Sequence, residues 1–270
     1  MVTLTEIINL LEAEIPANPN SPANVRKRDE LERKLAKYFT SLEKAFPYSS
    51  IDKIYNKYVT ESEASDERKA IDPLLATFTV ALTAILLDAI STTYQAGYGE
   101  MGRWAVSAEL ITGFDTIPSE AAIKYARSHI SNVKLVDGIN EETRKQISQV
   151  ISDGIKNKRG VPGIKTDIKR RLNWMARGAP SDIKGLTLDS RAMMIARTET
   201  SDALSQASLD SMKDMGIEGK EWVVNQPCDI CLANEADGVI PVGQAFSSGD
   251  MAPPAHPNCE CALAPALLKK

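Results

Sequence analysis

Cysteine is missing from the first 227 residues of this 270-residue chain. That excludes a disulfide framework over most of its length. Histidine occurs only twice, and neither an H-E-x-x-H nor an H-x-E motif is present, so the general base of a zinc peptidase or deaminase has no counterpart. The first residues, MVTLTEIINLLEAEIP, are acidic rather than basic, and predict no export signal and synthesis in a reducing cytoplasm. Net charge is only −4, which argues against a protein that coats nucleic acid by bulk charge. No internal repeat is present. Gly97, Gly99 and Gly102 offer a bare G-x-G, and nothing nearby completes a phosphate-binding fingerprint. Apolar residues make up 43% of the chain and charged ones 25%, enough to bury a core in one or two domains.

The longest uncharged stretch, Leu74 to Leu87, is closed by Asp88. As a helix it rises about 21 Å, short of the roughly 30 Å hydrocarbon core of a bilayer. It therefore reads as a buried core helix or subunit contact, with no membrane partner expected.

Helical spacing dominates elsewhere. A short amphipathic helix is predicted over 3–15, ended by Pro16 and the linker PANPNSPAN. Leu31, Leu35, Tyr38, Phe39, Leu42 and Phe46 recur on one face of a helix over 25–46. The three glycines at 97–102 loosen the pattern. Pro118 fits a helix start for 119–133, and Asn140 fits an N-cap for a helix reaching about Asn157. Arg159 to Gly163 reads as a turn, followed by a helix with Ile164, Ile168, Leu172 and Met175 on one side. A long helix is expected from Thr187 to Met215, stopped by Gly216. Strands are expected at 221–224 and 239–242. The fold class predicted is mainly α: a helical body with a small C-terminal zinc-stabilised β-hairpin element.

What the chain does contain is concentrated near its end. Cys228-Asp-Ile-Cys231 is followed after 24 residues by His256-Pro-Asn-Cys259-Glu-Cys261. Zinc takes four ligands in a tetrahedron from thiolate sulfur and imidazole nitrogen, and C-x-x-C lets two thiolates from one turn reach the same ion. Five donors compete for four positions: Cys228, Cys231 and His256, with Cys259 and Cys261 contending for the last. A closed, structural Zn2+ is expected, with a catalytic metal, disulfides or free thiols as the alternatives, and no catalytic residue is assigned. The metal would pin the strand at Trp222 to the final segment near Pro265.

The run Arg191-Ala-Met-Met-Ile-Ala-Arg197-Thr-Glu199-Thr-Ser-Asp-Ala203, then Trp222, Cys228-Asp-Ile-Cys231, Asp237-Gly238 and Pro253-Pro-Ala-His256-Pro-Asn-Cys259-Glu-Cys261 resembles, in order, the phage head morphogenesis family, whose namesake is the F protein of phage Mu. The resemblance covers about residues 140 to 265. It implies two regions: 1–135, a helical N-terminal part of unassigned role, and 136–270, a head-morphogenesis domain with a basic helical hairpin, a long helix and a metal-binding β element. It further implies a minor head protein of a tailed bacteriophage, located in the virion head at the procapsid interior or portal vertex. Such a protein acts in procapsid assembly, portal association and DNA packaging or delivery, has portal and capsid proteins as partners, is oligomeric in the assembled head, and carries no enzymatic activity.

Arg197 and Glu199 match the family's Arg-Thr-Glu positions. At i and i+2 they do not face each other, so each needs a partner from elsewhere, and a structural ion pair that fixes helix packing is expected. From Lys156 to Arg177 eight basic residues face one acidic residue, Asp167, for a local sum of +7. Lys156, Lys158, Arg159, Lys165, Lys169 and Arg170 are the nucleic-acid-binding candidates, reading non-specific DNA through phosphates. The same face could equally be plain solvated surface or a protein contact. Two other functions remain open from sequence: a metal-dependent nuclease or phage-borne effector enzyme, and a zinc-stabilised nucleic-acid-binding protein outside the virion.

Overall fold

The computed structural model describes residues 15–61, 68–180, 187–188 and 190–268. The helix expected over 3–15 lies outside these but for Ile15, as does most of the polar run 60–69. Eight helices are described: α1 (Pro22–Ala45), α2 (Ser50–Glu61), α3 (Arg68–Ser107), α4 (Ser119–Asn132), α5 (Leu135–Lys156), α6 (Gly160–Arg177), α7 (Arg191–Asp214) and α8 (Asp229–Ala236). The strands are short: β1 (Ala179–Pro180), β2 (Thr187–Leu188), β3 (Gly219–Val223), β4 (Ile240–Pro241) and β5 (Ala262–Ala266). The mainly α reading with a small C-terminal β element holds. The element is a three-stranded antiparallel sheet in the order β4-β3-β5, not a two-stranded hairpin. Its third strand, Ala-Leu-Ala-Pro-Ala, lacks the β-branched and aromatic residues that mark strands, which is why sequence left it as a tail.

The chain forms two compact units, neither continuous in sequence. One comprises Met1–Leu31, Leu87–Arg127 and Met194–Lys270; the other comprises Glu32–Leu86 and Ser128–Met193. Helices α1, α3, α4 and α7 contribute residues to both.

In the second unit, Ile147, Ile151 and Ile155 of α5 and Ile164, Ile168, Leu172 and Met175 of α6 are buried. Each such side chain contributes roughly 1.5–3 kcal/mol of burial. Asn140 is not an N-cap. Helix α5 begins five residues earlier, after the left-handed Lys134, and Asn140 sits inside it as a buried hub. Its amide donates to Thr79 Oγ1 at 3.2 Å and its carbonyl accepts from Tyr38 Oη at 3.3 Å. The expected turn at 159–163 is instead the first turn of α6, where Pro162 is tolerated because the earliest amides of a helix have no intrahelical acceptor.

The apolar stretch 74–87 belongs to a 40-residue helix, α3. The length expectation is overturned: Lys69–Ser107 is long and apolar enough, by length and composition, to cross a membrane. Thr77, Thr79 and Thr83 do not interrupt it because each hydroxyl donates to the carbonyl four residues back, at 2.9 Å. Nor do the glycines loosen it. A Cβ on Gly102 would fall 2.2 Å from the Phe114 ring, so this glycine lets the ring lie against the helix backbone.

Helix α7 starts at Arg191 rather than Thr187, with Ser190 Oγ accepting the Met193 amide at 2.9 Å as its N-cap, and runs on into the first unit from Met194. Thr187 is in β2. Three tyrosines tie α3 and α4 to α7. Tyr94 donates to Asp210 at 2.8 Å, Tyr98 to Asp214 at 2.8 Å and Tyr125 to Asp202 at 3.1 Å. Tyr94 and Tyr125 stack with centroids 4.2 Å apart. Beyond α7, Trp222, Phe246, Ile240, Val242 and Leu263 join Leu209 and Met212 in the core that carries the cysteines.

Candidate metal centre

Cys228 occupies the N-cap position of α8 in extended conformation, and Cys231 lies in the helix's first turn. The C-x-x-C segment is thus a loop-to-helix step whose backbone puts two sulfurs on one side, 3.7 Å apart. Cys259 and Cys261 sit on the approach to β5, both buried. Strand β3 holds that approach in place, because Val223 pairs with Ala262 and Trp222 with Leu263.

All five sequence-predicted donors come together. Cys228, Cys231 and His256 offer ligand atoms within 4.8 Å of one another, and so do Cys231, Cys259 and Cys261. Cys231 belongs to both sets. Its sulfur lies 3.7 Å from Cys259 Sγ and 3.6 Å from His256 Nε2. A tetrahedral zinc with sulfur at about 2.3 Å and nitrogen at about 2.0–2.1 Å requires edges of roughly 3.8 Å between sulfurs and about 3.6 Å between sulfur and nitrogen. The edges at Cys231 match. None of the four cysteines is in a disulfide. The group could therefore hold a metal ion of the thiolate-and-imidazole class.

The histidine is set for ligation. Pro257 O accepts from His256 Nδ1 at 2.9 Å, which places the proton on Nδ1 and leaves the Nε2 lone pair toward Cys231. The thiols are unequal. A hydrogen bond from the Cys259 thiol, with help from Asn225 and Trp222, holds Cys261 down at about 5. Burial pushes Cys231 up to about 11, and the hydrogen bond to Cys261 together with burial pushes Cys259 up as well. Backbone donors in the first turn of α8 lower Cys228. A divalent cation between them would favour the thiolate at every one of these positions.

The loop carrying His256 and Cys259 is gripped from α7. Arg197 Nη1 donates to Asn258 Oδ1 at 2.6 Å, and the Asn258 amide donates to Thr198 Oγ1 at 3.0 Å. Arg197 Nε lies 3.2 Å from Glu260 Oε1, both side chains largely buried, and Asn20 Nδ2 donates to Glu260 O at 2.8 Å. Asn258 itself is left-handed, with φ 67°, a conformation asparagine tolerates. The carboxylate facing Arg197 thus belongs to the metal loop. Glu199 is buried, and its charge acts on Tyr125, which burial and the carboxylates of Asp202 and Glu199 push well above the usual tyrosine range. Sequence reasoning missed Asn258 and Glu260 as partners of Arg197; an Asn directly after Pro257 and a carboxylate between two cysteines were the available signals.

Lys220 was also missed. It is fully buried beside Trp222, donates from Nζ to Met251 O at 2.6 Å and lies 5.0 Å from the Phe246 ring centroid.

The basic candidates are less free than their count suggests. Arg159 makes a two-armed pair with Asp167, 3.0 Å on each arm, and Lys165 pairs with Asp52 at 2.7 Å. Lys169 lies 5.2 Å over the Tyr48 ring. Lys156, Lys158, Lys169 and Arg170 are exposed.

Comparison of the chain with protein-family models, curated proteins and solved structures returns no match.

Proposed function

We propose that the chain is a minor head protein of a tailed bacteriophage, in which one structural zinc ion locks the C-terminal sheet and its flanking loop so that the helical body can act as an assembly part. The observation that carries this is the contact between Arg197-Thr198 and Asn258-Glu260. These are separate pieces of the ordered motif that resembles the phage head morphogenesis family, and they meet at the metal loop. Contact between separated parts of the motif supports reading it as one structural unit.

Cys228, Cys231 and His256, with Cys259 or Cys261 as the fourth, would hold the ion. Bound there, it supplies a crosslink among α8, the His256 loop and the start of β5. Such a crosslink matters because strands of five, two and five residues bury little on their own. Structural zinc in small domains contributes apparent binding free energies of about 10–16 kcal/mol. With four protein ligands the ion has no open position for substrate, which supports an assembly role over catalysis. Tyr94 and Tyr98, in the C-terminal part of α3, donate to aspartates of α7 and fix that part in the first unit, whereas only a third of the helix's most apolar stretch is buried.

The test is to induce cells carrying the gene, isolate procapsids and mature heads, and analyse them by mass spectrometry. The chain is expected at low copy in procapsids, co-purifying with portal subunits. Its absence from every particle and portal fraction would overturn the proposal.

A further inference from the structure

Helices α5 and α6 form a hairpin with a groove along it, a cavity of about 650 Å³ lined by Val150, Gly154, Asn157, Arg170, Arg171 and Trp174 among others. That size falls within the roughly 300–1,000 Å³ of ligand sites. Gly154 sets the depth of the hairpin. A Cβ there would stand 2.5 Å from Ile164 Cγ1, so the two helices approach as closely as they do only with glycine at this position.

The groove's walls combine the Trp174 indole and the guanidinium groups of Arg159, Arg170 and Arg171 with the carboxylates of Asp153 and Asp167. The Trp174 ring is half-buried and lines the groove, with the Arg171 guanidinium lying over one face at 5.5 Å from its centroid, so a base would stack on the indole beside or in place of that group. Asp167 is engaged by both arms of Arg159, and Arg170 reaches it only at 3.4 Å with its side chain 76% exposed. Most of the donors of Arg170 are therefore left for another acceptor. Lys156 and Lys158 stand exposed at the turn leading into α6.

We infer that this groove binds single-stranded nucleic acid, with a base against Trp174 and the adjoining phosphates on Arg170 and Arg171. An aromatic face stacks any base, and guanidinium groups bind phosphate through paired donors. A duplex offers its phosphates and base edges, but its base faces are already stacked on one another and would make no use of the indole. An acidic peptide would use the arginines and equally leave the ring idle. The inference stands apart from the head-protein proposal and survives or fails without it.

The test is fluorescence anisotropy of the full-length protein with a labelled 20-nucleotide oligothymidylate. A duplex of equal length and polyglutamate serve as competitors, and salt is varied. Single strand is expected to bind more tightly than duplex and to weaken as salt rises. Trp174→Ala is expected to lower affinity at least tenfold, and Trp174→Phe to retain most of it. Arg170→Glu with Arg171→Glu is expected to lower affinity and flatten the salt dependence. Should Trp174→Ala fail to fold, quenching of intrinsic fluorescence decides. It is expected in wild type and largely lost in Trp174→Phe, which keeps Trp104, half-buried, and Trp222, buried, as the background both proteins share. Absence of binding, duplex binding that matches single strand and ignores Trp174, or displacement by polyglutamate as effective as by oligothymidylate would each overturn the inference.

Discussion

Arg197 and Asn258, 61 positions apart, are joined by a 2.6 Å hydrogen bond from the guanidinium to the side-chain carbonyl of a left-handed asparagine. The same arginine faces Glu260. One side chain on the long helix α7 thereby sets the course of the loop between His256 and Cys261, and with it the positions of three potential ligands.

Arg197→Ala should therefore loosen the metal site from a distance. It removes a charge-assisted hydrogen bond and strands Glu260, whose side chain is only 18% exposed. The expected destabilisation is about 2–3 kcal/mol. Chelator should strip the metal from this variant faster than from wild type. Arg197→Lys is expected to rescue it poorly, because an ammonium cannot serve Asn258 and Glu260 with one planar fork. Equal metal-loss rates in a colorimetric zinc-release assay would show that α7 does not position the loop.

The ligand set can be resolved by single substitutions. Cys231 belongs to both sulfur-bearing groups, so Cys231→Ser should abolish metal binding outright. Of Cys259→Ser and Cys261→Ser, only one should do the same, while the other lowers affinity modestly. Elemental analysis of the purified variants gives the stoichiometry, with one zinc per wild-type chain expected. Retention of a full equivalent by Cys231→Ser would remove the basis for a shared site. Chelation of the wild type should lower the Tm of the C-terminal element while leaving most of the helical signal.

Most of the longer helices and the five donors were legible in sequence because both leave periodic or clustered signals, whereas the short α2 and α8 were not read as helices. Leu31, Leu35, Phe39 and Leu42 recur at helical spacing and are all buried, and cysteine is confined to one short region. What was not legible depended on partners distant in the chain. Asn140 has the composition of an N-cap, but its buried amide finds Thr79 and Tyr38. The glycines of α3 look like breaks until Phe114 is laid against Gly102. Arg159 and Lys165 count as free cations until Asp167 and Asp52 are placed beside them. β5 carries no strand signature and exists because β3 offers it an edge.

The Asn140 hub gives a second stability test. Asn140→Ala would leave Tyr38 Oη without its acceptor and remove the donor to Thr79, at a cost of roughly 1–3 kcal/mol. Burial already pushes Tyr38 up to about 12, so its hydroxyl stays protonated and in need of an acceptor at any ordinary pH. An N-cap at this position would instead predict that Asn140→Asp is neutral or favourable, since aspartate caps as well as asparagine does. In the buried hub, Asn140→Asp replaces a donating amide with a carboxylate facing Thr79, and is expected to destabilise. Urea unfolding of the three proteins separates the two outcomes.

Lys220 gives a pH dependence whose sign is fixed by its surroundings. Burial, with a smaller contribution from Lys213, lowers it from 10.5 to about 8. Below pH 8 the lysine is charged in both states, and the folded protein carries the full cost of a buried ammonium, offset in part by Met251 O and the Phe246 ring. Between about pH 8 and 10.5 the folded state has released the proton while the unfolded state still holds it. The unfolded state then binds more protons, and stability rises with pH. Across that window the gain from this residue is up to about 3 kcal/mol. Lys220→Met lacks it. The difference in stability between Lys220→Met and wild type should therefore shift in favour of wild type as pH rises from 7.5 to 10.5. Taking that difference cancels the titration of the thiols, which both proteins share. Parallel Tm curves across the window would mean that Lys220 titrates alike in the folded and unfolded chains.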